Sequence, residues 1–581
     1  MSDRLDSRRL KAALKKCTEQ LLSEMNGAGY WNGELSSSAL STAVAVIALS
    51  RMGKSELVEP GLRWLAENSN ADGGWGDTIR SQSNLSTTAL VWAAFGATNQ
   101  DGNFAAVVSR AEDWLWKRVG TRERLPQAII DCYGKDRTFS VPILMTLALS
   151  GRLAEDGWRL VLPLPFELAA LPQSWFGALQ LPVVSYALPA LIAIGQTIHH
   201  HAPSKNPLAR WIRDAVKATT LTRLCLLQPP NGGFLEATPL TAFVTMSLAS
   251  MRLREHSVAI KGAGFLEASI RKDGSWPIDT NLATWVTTLA VKALSFQPEI
   301  LSPGEKKAIR DWLLSQQYKQ IHPYTGAAPG GWAWTDLPGG VPDADDTAGA
   351  LLALASLGNH TPEVIQAAEA GVKWLLNLLN RDGGIPTFCK GWGTLPFDRS
   401  SPELTIHAAL AWARWKDSFG SPLANRITEA MRSASNYIAK SQRPDGAWIP
   451  LWFGNEAEAE QENPIYGTAR TLAGLTELDS QGLVSMAQIK RAKEFIQRAQ
   501  LPTGGWGGGP GCPESIEETA LATESLLDLR GANRLIEFVD SGQLTASPIG
   551  LYFARLWYFE KLYPLIFATS ALGKMASQRA L

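Results

Sequence analysis

No run of about 18 uninterrupted apolar residues occurs, so no membrane span is expected. The most apolar stretch, residues 182–195, is too short and holds two prolines. Charge of one sign is not in surplus: 55 basic residues face 55 acidic ones, which argues against nucleic acid as a partner. Cysteine is scarce. Cys17, Cys132, Cys225, Cys389 and Cys512 are odd in number and form no CxxC pair, so a disulfide framework is not expected and a reducing compartment is. Residues 1–16 are charged and helix-like and lack the apolar centre of a secretory signal. No alternating pattern persists long enough to predict a strand, and no Gly-rich phosphate loop or obvious Arg/Lys cluster is present.

What the chain has in excess is tryptophan and glycine, 22 and 50 residues, and the two occur together. Helical stretches end again and again in a Gly-aromatic turn. These turns carry Trp31, Trp75, Phe234, Trp276, Trp332, Ile385, Trp448 and Trp506, and several follow a glutamine such as Gln228, Gln442 or Gln500. Spacings of about 40 to 60 residues predict paired helices that stack to bury their faces. Asp-Gly or Gly-Gly makes the tight turn, and the Trp packs back over a helix end with its N–H on a polar partner. Repeat-turn residues such as Trp75 and Trp506 therefore read as structural.

Between the turns, stretches such as TTALVWAAFG and DDTAGALLALASLG place Ala and Leu at three-to-four spacing and are apolar all round, as buried inner helices are. The expected class is all-α, two closed α/α barrels rather than an open solenoid, over residues 1–290 and 291–581. The first helix is expected to pack with the second barrel. The triplet His199-His200-His201 reads as an exposed helix end or loop.

The segment from Val341 to Ala348 carries Asp343, Asp345 and Asp346 at a helix start. An acidic first turn, or a divalent-metal site, would use the same residues. An apolar inner helix follows at once, however, and three carboxylates facing an apolar space do not all ionise cheaply. Crowding then leaves a protonated carboxylic acid able to donate.

With its DxDD segment and its Gly-aromatic turns, the chain resembles the squalene–hopene cyclase family. The likeness runs from GYWNGEL at 29–35 through PIYGT at 464–468 to LYPLIFATSALG at 562–573. It implies two α/α barrels around a central apolar cavity and a reaction needing no cofactor and no metal. Asp345 would protonate an alkene, Asp343 and Asp346 would set its acidity, and His407 would hydrogen-bond it. Trp285, Trp334, Phe388, Trp452, Tyr466 and Tyr552 would line the path of the cation, where aromatic faces contribute about 0.5 to 2 kcal/mol each. The implied substrate is a lipid-soluble polyprene such as squalene, met by an enzyme peripheral to the cytoplasmic membrane face; a homodimer is admissible.

Departures leave ring number and termination open. The helix after the GYW segment has no acid, Leu181 and Pro182 stand where the family has a cavity tryptophan, and the loop after Phe388 is short. Three alternatives remain. A class II cyclase of a prenyl diphosphate uses the same acid. A zinc prenyltransferase would use Cys389 and His407, but Thr387 stands where it needs an aspartate. A non-catalytic α-solenoid explains the repeats and not the acids.

Overall fold

The computed structural model describes residues 5–134, 136–153, 156–172, 175–176, 185–388, 396–478, 485–551 and 554–578. One turn unit, repeated, builds it. The indole N–H of each turn tryptophan donates to a carbonyl near the end of the preceding outer helix. Trp75 reaches Leu65 O at 2.8 Å, Trp276 reaches Leu266 O at 2.7 Å, Trp332 reaches Leu313 O at 2.7 Å and Trp506 reaches Ile496 O at 2.7 Å. The backbone N–H of the same residue donates to a threonine hydroxyl on an inner helix: Trp332 to Thr347, Trp448 to Thr468, Trp506 to Thr519. The glutamines before the turns donate to the turn carbonyls, Gln442 to Gly446 O and Gln500 to Gly504 O. Gly446 shows why the turn needs glycine. Its φ is 101°, and a Cβ there would meet the Arg491 carbonyl oxygen at 2.4 Å.

The inner helices are buried almost all round; Ala39 to Leu49 are buried without a break. Five of them close one ring: Ala39–Met52, Leu85–Ala97, Arg137–Leu149, Leu188–His201 and Thr238–Ser250. Six close a second: Ala283–Leu294, Ala344–Leu357, Pro402–Trp415, Pro464–Leu478, Ile516–Leu526 and Tyr563–Ser577. In the second ring amphipathic outer helices alternate with them along the chain, so its inner helices run parallel. The all-α class of the sequence reading holds, as stacked α/α rings.

Each ring is closed by a turn bonded across a long stretch of sequence. Trp276 N donates to Thr42 Oγ1, which joins the end of the first ring to its first inner helix. Trp31 N donates to Thr287 Oγ1, which brings the first helix of the chain, Ser7–Ser23, to the second ring. There it packs on Tyr563–Ser577, and its Leu10, Leu14 and Leu21 share one apolar core with residues of the second ring.

Two short antiparallel pairs were not foreseen: Ser37–Ser38 with Trp276–Pro277, and Ile549–Leu551 with Leu556–Tyr558. At two or three residues they are too short to show a period. The histidine triplet divides. His200 and His201 are exposed, but His199 is buried against Asp214 at 3.0 Å, because it faces the outer helix Pro207–Leu227. No helix among the described residues is long and apolar enough to cross a membrane.

Candidate active site

Parallel inner helices bring six N-termini to one end of the second ring. Asp343 caps Ala344–Leu357, its Oδ1 accepting from Asp346 N at 2.8 Å. Its own N–H donates to Trp332 O, and Ala344 N–H donates to Thr387 O at 2.8 Å. The acid segment is thereby tied both to a repeat turn and to the strand-like stretch that carries Phe388.

Asp343 and Asp346 are buried, with their carboxyls close enough to hydrogen-bond each other. Burial pushes the Asp343 carboxyl up to about 7, with repulsion from Asp345 adding to it. Burial and then Asp343 push Asp346 well above the usual carboxylate range. Asp345, between them in sequence, keeps 16% of its side-chain surface uncovered. Its Oδ1 lies 2.5 Å from His407 Nδ1, on the neighbouring inner helix Pro402–Trp415. Burial lowers the His407 pKa, and Asp345 opposes that shift.

The remaining predicted residues fall into three places. Trp334, Phe388 and Trp452 form one aromatic cluster: Phe388 is 6.1 Å from Trp334 and 5.5 Å from Trp452, centroid to centroid. The Trp452 indole donates to Thr387 Oγ1 at 2.8 Å, which fixes the cluster beside the acid helix. Trp285 stands edge-on to His407 at 6.3 Å and donates to Tyr563 Oη at 3.0 Å. Tyr466 is fully buried, stacked on Phe453 at 4.4 Å, and close enough to Asp345 and Glu403 to be affected by their charge. Tyr552, Leu181, Pro182 and Cys389 lie outside the described residues. Among the described residues no cluster of three or more His, Cys, Asp or Glu is arranged to hold a metal ion.

Sequence reasoning missed four neighbours. Tyr186 and Phe397 complete the aromatic cluster, Tyr186 at 5.4 Å from Phe388 and 4.9 Å from Phe397. Tyr186 comes from the first ring, just over two hundred residues away, and no local signal points to it. Tyr563 opens the last inner helix. Glu403 sits one turn before His407; it accepts from Leu451 N at 2.8 Å, and burial pushes it up to about 7. The Glu-to-His spacing of four on an apolar helix was the signal that could have found it.

The sequence matches the squalene-hopene cyclase N-terminal domain over residues 14–214 and the squalene-hopene cyclase C-terminal domain over residues 282–526. It is similar to a squalene–hopene cyclase of Alicyclobacillus acidocaldarius, 24% identical over 536 residues, 80% of this chain and 78% of that protein. It is similar over a like extent to the labda-7,13-dienyl diphosphate synthase of Streptomyces clavuligerus, 25% identical over 484 residues, 80% of this chain and 75% of that one. The likeness to the terpene cyclase-glycosyl transferase fusion protein fsoA of Humicola fuscoatra is 28% over 335 residues, 48% of this chain; there the chain spans only 23% of its relative's length. Among solved structures, abietadiene synthase from Abies grandis aligns with 94% of this chain and 67% of its own, at 14% identity and a TM-score of 0.45.

Proposed function

Because the chain belongs to the squalene-hopene cyclase family, we propose that it is a class II terpene cyclase whose Asp345 protonates the terminal alkene of squalene or a related polyprene. The observation that carries this is the Asp345–His407 contact at 2.5 Å, at the end of a ring whose other N-termini present Trp285, Tyr466 and Tyr563.

In this reading neutral His407 donates its Nδ1–H to Asp345 Oδ1. The transferable proton is then on Oδ2, and the carboxylate left after transfer stays hydrogen-bonded. The proton adds to the terminal alkene carbon, its π electrons forming the new C–H bond. The tertiary cation is consumed by the next alkene of the folded chain, ring by ring, until a proton leaves or water adds. Burial raises Asp343 to about 7 and Asp346 well above the usual carboxylate range, so they support the acid without adding two full negative charges beside it. Trp334, Phe388 and Trp452, with Trp285, Tyr466 and Tyr552, supply π faces that hold the cation without bonding to it. The same reading takes two barrels with the cavity between them; the division expected near residue 290 moves to before Ala283, because Ala283–Leu294 is an inner helix of the second ring, and residues 7–23 pack with that ring as well.

A second substrate class has one observation in its favour. The resemblance to a labda-7,13-dienyl diphosphate synthase is as extensive as that to a squalene–hopene cyclase. Separate incubations with squalene and with geranylgeranyl diphosphate, analysed by mass spectrometry beside Asp345→Asn, decide between them. A cyclised product from neither would overturn the proposal.

A lipid substrate needs a docking face. Leu208, Trp211, Ile212 and Leu226 stand exposed at helical spacing along the outer helix Pro207–Leu227, at 64%, 68%, 38% and 75%. We read this stripe as resting in the interface of a bilayer. Co-sedimentation with phospholipid vesicles should fall in Trp211→Glu; unchanged sedimentation would remove the stripe from this role.

A further inference from the structure

The second ring has another end. Following four of its six inner helices away from the acid end, charged side chains recur. Arg470 is one turn beyond Tyr466 on Pro464–Leu478, Lys292 two turns beyond Trp285 on Ala283–Leu294, Glu524 two turns beyond Glu517 on Ile516–Leu526, and Lys574 three turns beyond Tyr563 on Tyr563–Ser577. At about 1.5 Å per residue, Lys292 stands roughly 10 Å below Trp285 and Lys574 roughly 16 Å below Tyr563. At the mouth, exposed Arg414 and Glu477 pair across neighbouring inner helices at 2.8 Å.

The charges in this lumen do not balance. Glu524 is its one buried carboxylate among the described residues at this depth. It accepts from Lys292 Nζ at 2.8 Å and from Ser570 Oγ at 2.7 Å. Against its burial, Lys292 and Lys574 hold it at about 2, so it is ionised. Three cations face it. Arg470 and Lys574 each repel Lys292 and, among the described residues, have no ion-pair partner. Arg470 is also offset by Asp345 and Glu403 at the acid end, so the charge left unbalanced beside the Lys292–Glu524 pair is at least that of Lys574. The space is not filled by protein, since Lys292 keeps 42% of its side-chain surface uncovered on a helix that is otherwise buried.

We propose that the lumen of the second ring is a binding site for a phosphate-type oxyanion, held by Arg470, Lys292 and Lys574 and entered from the mouth at Arg414 and Glu477. Guanidinium offers the paired donors that such oxygens fit, and ammonium groups add point charges. A proton channel is the less suitable occupant of this space, because fixed cations raise a barrier to protons in a narrow lumen. The layer of Trp285, His407 and Tyr466 separates the site from the aromatic cluster, so the anion arrives from solvent and not with the polyprene. Bound one to three turns below the acid end, a negative charge would oppose departure of the proton and slow turnover. At an effective dielectric of about 20 and about 10 Å, one unit charge corresponds to a slowing of up to about 15-fold.

The test uses the full chain, titrated calorimetrically with inorganic phosphate and inorganic diphosphate, with chloride as control. Saturable binding of either oxyanion is expected, with a rise in Tm of about 2–4 °C at saturation. Arg470→Gln and Lys574→Gln should each weaken it about tenfold or more; should Arg470→Gln fail to fold by circular dichroism, Lys574→Gln decides. No saturable binding, or unchanged affinity in the folded variants, would overturn the site. The turnover arm rests on the cyclase reading. Inhibition by diphosphate that lowers kcat and leaves KM for the polyprene unchanged supports the lumen; inhibition competitive with the polyprene places the anion in the substrate cavity and overturns it. If no polyprene is cyclised at all, the cyclase reading fails and the binding arm still decides the site.

Discussion

His407 Nδ1 lies 2.5 Å from Asp345 Oδ1 across 62 residues of sequence. The contact exists because Ala344–Leu357 and Pro402–Trp415 are adjacent inner helices of one ring, and each offers its first two turns to the same end.

Asp345→Asn keeps the shape and removes the proton. Cyclised product should fall to about a thousandth of wild type or below, within the range for loss of a general acid, while circular dichroism and Tm stay close to wild type. Retained turnover in the folded variant would reassign the donor.

His407→Ala removes the group that orients the acid and stabilises the carboxylate it leaves. A drop in kcat of about 10- to 100-fold is expected, with KM for the polyprene little changed. A change confined to KM would place His407 in substrate binding instead.

Phe388 contacts Trp334, Trp452, Tyr186 and Phe397. Phe388→Ala should slow cyclisation about 3- to 30-fold and release prematurely terminated products, since each π face contributes about 0.5 to 2 kcal/mol. Phe388→Tyr keeps the ring and should keep the product pattern. Equal product patterns in both variants would remove Phe388 from the cation's path.

Trp506→Phe probes the repeat turn alone. It leaves the Ile496 carbonyl without its 2.7 Å partner and opens space in a fully buried position. A loss of about 1–3 kcal/mol in unfolding free energy is expected, with turnover per folded molecule unchanged. A kinetic defect without a stability defect would contradict the structural role.

Stability should depend on pH through the buried carboxyls. Burial raises Glu517 to about 8, and Glu403 and Glu560 to about 7. Such groups bind protons more tightly folded than unfolded, so unfolding free energy falls as pH rises through these values. A histidine held low by burial, His322 at about 4, acts oppositely, but only below about 6.5. Between pH 6.5 and 8 the denaturant midpoint should therefore fall, and Glu517→Gln should flatten the fall. A midpoint rising over that window would refute the assignment.

The legible part of the fold was its repeats. Trp75, Trp276, Trp332 and Trp506 each bond locally to a carbonyl 10 or 19 residues back, so glycine, tryptophan and helical period carry the unit in consecutive residues. The threonines that receive the turn N–H, such as Thr347 and Thr519, went unnoticed because a threonine on an apolar helix looks like any small buried residue. The acid segment was legible because three aspartates before GALLALASLG conflict with the burial that follows them.

By itself, then, the sequence determined the helices, their turns and the conflict of charge and burial at 343–346, all of which arise from contacts a few turns apart. Only the tertiary structure decided which helix ends meet. Ring closure through Trp276–Thr42 and Trp31–Thr287, the arrival of Tyr186 beside Phe388, and the surplus of cations around Glu524 all join residues far apart in the chain. The physical reason is that periodicity states which face of a helix is buried, but not which other helix buries it.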